Sequence, residues 1–268
     1  GGVFYNGLAA VIASKIFGKK NLVRTAEDHL GSAQAQSSIS KKIGHRLFIG
    51  PVSMLTLNLA QNVMTVGFAS RNYFIDCGLE PSKISYAVSP IQVKRFTGPS
   101  KVSKEQILLN LGMDPSKKLL LYVGAISKVK GADLLPEIIR RIKQKTDEWQ
   151  FLIIGHESST KKKITLELEK VGQADIRIIG PQQNEDLLSY YKAANTLVFL
   201  CRVGVGYGLV TIEAALADCP VLCLNPKLDV KTIHPNSPSN IQDLVSITLC
   251  SQYRVPDVYK LIDNGACR

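Results

Sequence analysis

The sequence lacks any apolar run of about 18 residues, the length that a membrane-spanning helix requires. The longest candidate, residues 48–60, is interrupted by Gly50, Pro51 and three further polar residues. We therefore predict no spanning helix. The chain also begins with Gly-Gly and has no basic, apolar and small-residue pattern of a signal peptide, so we expect a fragment or a processed chain.

Metal-ligating patterns are scarce as well. The six cysteines form no CxxC pair, and the four histidines are scattered without HExxH or similar spacing. We therefore expect no metal site. Cys201, Cys219 and Cys223 lie in or near apolar, strand-like runs, which predicts small buried side chains in a reducing compartment rather than a disulfide framework.

Acidic residues are fewer than basic ones, and the net charge is +11. By count, residues 1–116 hold 13 Lys/Arg against 6 Asp/Glu, so this part contributes +7. Such a balance favours anionic partners, which are nucleic acid, acidic lipid headgroups or phosphorylated ligands. A solvated basic surface is the alternative, and we expect no nucleic acid among the partners.

Residues 117–224 alternate regularly between two kinds of segment. Apolar runs typical of buried strands are separated by segments with helical spacing, and the connections are short. This alternation predicts a doubly wound parallel sheet with helices on both faces and strand order 3-2-1-4-5. The predicted strands are 117–125, 150–155, 175–180, 196–200 and 220–224, and the predicted helices are 131–146, 158–172, 184–194 and 208–218.

Residues 1–96 are less regular but also predict α/β structure. We expect a helix at 7–17, a strand and loop at 21–31, helix-strand-helix over 47–78 and a strand at 83–88. Polar, turn-rich residues 97–116 are predicted to connect a partial N-terminal domain, 1–96, to a C-terminal domain, 117–268.

Two loops follow the first and fourth strands of the larger pattern, where the strand order reverses and ligands bind. The first, GAISKVKG at 124–131, carries Lys128 and Lys130, and the second, CRVGVGYG at 201–208, holds three glycines before a helix. Exposed backbone N–H groups at a helix start and a facing lysine suit a phosphate group. Glu213, on the helix, has a carboxylate that can accept hydrogen bonds from ribose hydroxyls. A tight turn, a solvated lysine and a surface acid are the alternatives.

The stretches LLYVGAISKVKGADLL, FLIIG, IIGPQQNEDLLSYYKAANTLVFL and GYGLVTIEAALADCPVL together resemble the nucleotide-sugar domain of family-four retaining GT-B glycosyltransferases. The earlier KISYAVSPIQVKRF resembles the strand and crossover before that family's linker. The resemblance implies two Rossmann-like domains with parallel sheets, the N-terminal one incomplete here. It also implies a nucleoside diphosphate sugar donor, a hydroxyl acceptor, retention of configuration, and no metal or other cofactor.

The resemblance also assigns residues to roles. It implies catalytic roles for Lys130, on the donor phosphates, for Glu213, on the ribose, and for His29, near the transferred sugar. A structural histidine is the alternative for His29. The substrate-binding positions that it implies are Gly124, Lys128, Lys130, Gly155, Gly206, Tyr207, Gly208, Leu209 and Glu213.

The sequence departs from the family pattern at two charged positions. Val205 stands where the first glutamate of the family's acidic pair is expected, and Ala125 stands where its phosphate-binding arginine is expected. Lys128 or Arg202 can compensate in part for the arginine. The segment after residue 224 also lacks the family's Gly-Gly…Glu pattern.

Three functional hypotheses follow. The first is a glycosyltransferase acting on a sugar, lipid-linked or polysaccharide-precursor acceptor, cytoplasmic and in peripheral contact with the inner, anionic membrane face. Here GLAAVIASKIFGKK is either a membrane-contacting segment or an ordinary core helix. The second is a non-catalytic GT-B nucleotide-binding domain, and the third is a sugar-nucleotide epimerase.

Overall fold

The computed structural model describes residues 3–25, 43–66, 68–86, 91–157, 162–172, 174–200 and 208–223. These residues form two compact units, one that includes 3–86 and one that begins at 91. Throughout the described ranges, no helix is long and apolar enough to cross a membrane.

The first unit contains a parallel sheet in the order β1-β2-β3. The helices predicted at 7–17 and within 47–78 are confirmed, and so are the strands predicted within 21–31, 47–78 and 83–88, of which residues 26–31 and 87–88 lie outside the described ranges. Its regular elements are a π-helical turn Val3–Gly7, α1 Leu8–Ile16, β1 Leu22–Thr25, a π-helical turn His45–Ile49, α2 Gly50–Leu59, β2 Asn62–Thr65, α3 Phe68–Asp76, a 3-10 turn Pro81–Lys83 and β3 Ile84–Tyr86.

The second unit contains a five-stranded parallel sheet in the order β6-β5-β4-β7-β8. This is the predicted order 3-2-1-4-5, and the prediction is confirmed. Its elements are α4 Val93–Thr97, α5 Lys104–Asn110, β4 Lys118–Val123, a 3-10 turn Ala132–Leu134, α6 Leu135–Lys143, β5 Trp149–Ile154, α7 Lys163–Val171, β6 Ile176–Ile179, α8 Asn184–Ala193, β7 Thr196–Phe199, α9 Leu209–Leu216 and β8 Val221–Cys223.

The core of the second unit lies around β4 and β5. All six residues of β5 are buried, as expected for a central parallel strand covered on both faces. Helix α6 covers one face through residues at helical spacing, among them Ile138, Ile139 and Ile142, while Glu137 on its outer side pairs with Arg141. The alternation of apolar strands and amphipathic helices in the sequence thus corresponds to the layers of this sheet.

The segment predicted as the connection, 97–116, packs within the second unit. Leu108 of α5 is fully buried, and α5 contacts α8. Arg177 of β6 donates from Nε to the Leu111 carbonyl and from Nη2 to the Gly112 carbonyl, each at 2.8 Å. The Gln150 amide binds both the N–H and the carbonyl of Asp114. Polar side chains of the sheet therefore bind this segment through its backbone.

Asp175, which precedes β6, is mostly buried and forms ion pairs with Lys117 and Lys143. Burial by itself would raise the pKa of Asp175, but the hydrogen bonds from Lys117 and Lys143 outweigh it, and the pKa is lowered. The three residues link the beginnings of β4 and β6 to the end of α6.

Replacing Asp175 by Asn is expected to lower the free energy of unfolding at pH 7 by about 1–2 kcal/mol, because two partly buried lysines lose a charged acceptor. The pKa is lowered in the folded state, so this contribution is complete above the ordinary value of 3.8 and is lost as the pH falls through the folded value. Urea unfolding measures both effects when it is carried out at pH 7 and at a series of values down to about pH 3, which lies below the ordinary pKa of 3.8.

Glu148→Gln is the matched control, because Glu148 forms a single ion pair with Lys118 and its side chain is 67% exposed. We expect this change to cost less than about 0.5 kcal/mol. Equal losses for Asp175→Asn and Glu148→Gln would contradict a special role for the Asp175 cluster.

Candidate functional site

The carboxyl ends of β4 and β7 adjoin at the centre of the second sheet. The two strands are parallel neighbours, with Leu120 opposite Thr196 and Leu121 opposite Leu197. The chain continues from β4 to one side of the sheet and from β7 to the other, so this edge is the topological switch point where α/β sheets bind ligands.

The loop after β4, residues 124–131, is held closed by Tyr122. The buried Tyr122 hydroxyl lies 3.0 Å from the Ala125 carbonyl and 3.3 Å from the Lys130 carbonyl, so one side chain contacts both ends of the loop. The N–H of buried Ile126 donates to the His156 carbonyl at 2.9 Å. These bonds fix the loop backbone and leave its lysine side chains at the surface.

Gly131 ends this loop in direct contact with the end of β7. Its φ is +72°, and a Cβ placed there would lie 2.0 Å from the Leu200 carbonyl oxygen. Any other residue would clash, so the glycine is required by the close approach of two backbones. The β4 loop therefore contacts the chain at the residue before the predicted glycine loop, whose residues Arg202, Val205, Gly206 and Tyr207 lie outside the described ranges.

Gly124 and Gly155 form a second close backbone contact at the same edge. A Cβ at Gly155 would lie 1.9 Å from the Gly124 carbonyl oxygen. The φ of Gly155 is +155° and that of Gly124 is +151°. The Gly155 N–H donates to the Ile179 carbonyl at 2.9 Å. Gly155 was predicted to approach a nucleoside, and that stays a prediction; the structure shows a packing role, which the sequence pattern did not reveal.

Lys128 and Lys130 are both exposed on the β4 loop. The Lys130 N–H donates to the Ser127 hydroxyl at 3.3 Å, so the backbone at this lysine is held by its own loop. Ala125, at the position expected for arginine, is exposed and carries only a methyl group. Any positive charge that this loop brings to an anion therefore comes from its two lysines.

Helix α9 starts directly after the predicted glycine loop. Its N-cap is Gly208, where a Cβ would lie 2.5 Å from the ring of Phe199, so the helix start packs closely on the end of β7. Both the N–H and the hydroxyl of Thr211 bind the Gly208 carbonyl, at 2.9 and 2.8 Å. Leu209 is 43% exposed.

Glu213 lies on the buried side of α9, where only 7% of the residue is exposed. The alternative of a surface acid is therefore wrong. Its Oε2 accepts a 2.8 Å hydrogen bond from the hydroxyl of Tyr191 on α8. Burial raises the pKa of Glu213, although the Tyr191 hydrogen bond and the charge of Arg95 act in the opposite direction.

Sequence reasoning missed Tyr191. It is fully buried, and burial with the adjacent Glu213 carboxylate raises its pKa, so the phenol remains a donor. Two adjacent tyrosines, Tyr190 and Tyr191, occur in the amphipathic pattern of α8. Only Tyr191 lies on the apolar side of the helix, and this spacing is the signal that indicates its burial.

His29 lies outside the described ranges. Within those ranges no cluster of three or more His, Cys, Asp or Glu side chains suits a metal ion.

Comparison with known families gives one match over this region. The model of the family described as glycosyl transferases group 1 matches residues 103–238, just over half of the 268 residues. The D-inositol 3-phosphate glycosyltransferase of Segniliparus rotundus is 27% identical over 168 residues, 61% of this chain and 36% of that protein. The protein of the same name from Corynebacterium jeikeium is 22% identical over 210 residues, 75% of this chain and 48% of that protein. The chain spans between about a third and a half of the curated relatives it matches.

Solved structures agree in fold. Sucrose-phosphate synthase from Thermosynechococcus elongatus superposes with a TM-score of 0.72 at 19% identity, over 91% of this chain and 61% of that one. HepE from Anabaena, solved with UDP, superposes with a TM-score of 0.71 at 15% identity, over 97% and 67%; HepE has also been solved with UDP-glucose. The predicted fold class, α/β of the GT-B type with parallel sheets, is confirmed.

Replacing Gly131 by Ala is expected to lower the free energy of unfolding by about 2–4 kcal/mol, because the new Cβ adds backbone strain and a clash with Leu200. Urea unfolding measures the loss. Gly180→Ala is the control, because a Cβ there meets no atom within 4 Å. A Gly131→Ala protein as stable as Gly180→Ala would contradict the close contact.

Proposed function

This chain belongs to the glycosyl transferases group 1 family, and from that membership and the site geometry we propose that it transfers a sugar from a nucleoside diphosphate sugar to a hydroxyl acceptor. The observation that carries the proposal is the β4 loop. It is fixed at the switch point against Leu200, with Lys128 and Lys130 exposed. A fixed backbone that carries two ammonium groups suits a diphosphate, since the loop backbone itself does not have to be ordered at binding.

Each predicted site residue has a role in this proposal. Lys130 neutralises the diphosphate, with Lys128 beside it, and the backbone at 206–209 contacts phosphate and sugar. The Glu213 carboxylate accepts hydrogen bonds from the ribose hydroxyls. Gly124 and Gly155 keep the strand ends close together under the nucleoside, and His29 lies near the transferred sugar.

The proposed reaction retains the configuration of the anomeric carbon and uses no metal or other cofactor. Lysine ammonium groups then carry the stabilisation of the leaving diphosphate, as positive groups aimed at developing charge do in phosphate chemistry. The acceptor is a hydroxyl of a sugar, a lipid-linked glycan or a polysaccharide precursor. Support for a nucleoside diphosphate comes from HepE, a structural neighbour solved with UDP and with UDP-glucose.

The exposed methyl group of Ala125 motivates a second candidate, a nucleotide-binding chain without transfer activity. A charge-assisted contact of the kind lost there is worth about 1.5–3 kcal/mol. The family match and the glycosyltransferases named above do not favour the epimerase alternative.

A basic apolar surface on α1 supports a peripheral membrane contact. Ile12, Ile16 and Phe17 are 46%, 73% and 73% exposed, while Val11 on the other side of the helix is buried. Lys15, Lys19 and Lys20 are exposed in the same stretch. We propose that this surface, residues 12–20, binds anionic lipid headgroups through its lysines and inserts its apolar side chains beside them.

Lys130→Ala is expected to weaken binding of the preferred nucleoside diphosphate by about tenfold or more, because one ammonium–phosphate contact is lost. Glu213→Ala should weaken it as well. Isothermal titration with UDP, GDP, ADP and CDP measures both effects. Lys145→Ala, a change of another exposed lysine outside the β4 loop, is the control and should bind as the unchanged chain does.

Absence of binding by the unchanged chain to every nucleoside diphosphate would exclude the proposed donor site. Binding without transfer to any hydroxyl acceptor would favour the non-catalytic candidate. Where transfer occurs, the proton NMR coupling of the product's anomeric centre distinguishes retention from inversion.

A double change, Ile16→Ser with Phe17→Ser, is expected to reduce the fraction of protein bound to phosphatidylserine-containing vesicles several-fold, because about 0.8 kcal/mol is lost for each CH₂ group no longer buried. Flotation of vesicles with and without phosphatidylserine measures this fraction. Leu22→Ser, at a 54% exposed position on β1, is the control. Equal binding to both kinds of vesicle, or none, would exclude the proposed surface.

A further inference from the structure

Glu213 is buried among three helices of the second unit. Helix α9, which carries it, packs against α8 and against the short helix α4. Tyr191 on α8 donates its hydroxyl to Glu213, and α4 contributes Arg95 and the fully buried Phe96. A buried carboxylate loses solvation and requires such partners to remain in place.

The hydrogen bond from Tyr191 occupies one oxygen of the carboxylate. The distance from the Tyr191 hydroxyl to Glu213 Oε2 is 2.8 Å, within the usual range for an O–H donor and a carboxylate. The second oxygen, Oε1, accepts no hydrogen bond from any residue in the described part of the chain. A single carboxylate oxygen has two lone-pair directions, which is enough for two neighbouring hydroxyl donors.

Tyr191 is itself held in place by packing. It is among the largest fully buried side chains, and its ring lies 6.2 Å from that of Phe96 at an interplanar angle of 58°. Arg95, the neighbour of Phe96 on α4, acts on Glu213 through its charge and pairs with Glu185 of α8 at 3.9 Å. The donor hydroxyl therefore has little freedom to leave the carboxylate.

We propose that Tyr191 is a positioning residue for ribose recognition. Its hydroxyl holds Oε2 of Glu213, so that the carboxylate presents Oε1 to the 2′- and 3′-hydroxyls of the donor nucleoside. The proposal rests on the proposed function and adds to it a residue that does not touch the ligand. Preference for ribose over deoxyribose is thereby assigned to Glu213 and Tyr191 together. It depends on the hydrogen bond between these two side chains, in which the ligand takes no part.

Tyr191→Phe tests the role of Tyr191 by removing only the hydroxyl. Isothermal titration compares the best-binding nucleoside diphosphate with its 2′,3′-dideoxy counterpart, and the ratio of the two dissociation constants is the ribose preference. We expect Tyr191→Phe to reduce this preference by about threefold to tenfold, because an unrestrained carboxylate binds the hydroxyls less well. Binding of the dideoxy probe should be unchanged within about twofold, since that probe has no hydroxyl for Glu213.

Tyr190→Phe is the matched control, with the same change at the adjacent, half-buried tyrosine, and should leave the ribose preference unchanged. In a Glu213→Gln background, Tyr191→Phe should have no further effect on the preference. Phe96→Leu provides an independent variant that keeps the hydroxyl and loosens the ring contact; it should reduce the preference in the same direction, but less. Thermal unfolding of every variant accompanies the titrations.

The outcomes separate this proposal from the function on which it rests. Weaker binding of both probes by the same factor in Tyr191→Phe would indicate a purely structural role and overturn the proposal, while leaving the donor site intact. An unchanged ribose preference in Tyr191→Phe would also overturn it. If Tyr191→Phe does not fold, an unchanged preference in Phe96→Leu would overturn it instead. If the unchanged chain binds no nucleoside diphosphate at all, the proposed function and the role of Tyr191 are both excluded.

Discussion

Close approach of backbone segments at the carboxyl ends of the strands is the constraint on which the candidate site depends. A side chain at Gly131 would overlap the Leu200 carbonyl, and one at Gly155 would overlap that of Gly124. A side chain at Gly208 would instead meet a side chain, the ring of Phe199. At each of these three contacts there is no room for a Cβ atom. Such close packing leaves the β4 loop little freedom to move. Because the backbone is fixed, the exposed side chains on it extend from defined Cα positions.

Much of the second sheet was predictable from the sequence. Buried parallel strands must be apolar throughout, and amphipathic helices between them must cover two faces, so residues 117–223 admit few arrangements. The strand order and the switch point followed from this alternation. Glycine spacing also marked Gly208, but the sequence could not show that Gly131 is required, because its contact with Leu200 joins segments distant along the chain. Gly155 was assigned to a ligand, whereas its immediate neighbour in the structure is Gly124.

The environment of Glu213 was not predictable for a different reason. Helical spacing places Glu213 on α9, but burial depends on α4 and α8 packing against that helix, and the sequence of α9 alone contains no sign of it. Residues 97–116 are turn-rich and were predicted as a connection from composition. Their attachment to the sheet depends on the side chains of Gln150 and Arg177, which bind backbone atoms. Because every residue has the same backbone atoms, the sequence does not indicate which of them are bound. The residues predicted for chemistry at 201–207 and at His29 stay predictions.

Arg177 has a consequence for the behaviour of the protein among other copies of itself. Strand β6 is the outermost described strand on its side of the sheet, and the unpaired carbonyls of such a strand can pair with another chain. The Arg177 guanidinium donates to the Ile176 carbonyl at 2.9 Å and also binds residues 111–112 beside the strand. A permanently charged group thus lies where a second strand would have to pair with β6. The residue that attaches segment 97–116 also disfavours edge-to-edge aggregation.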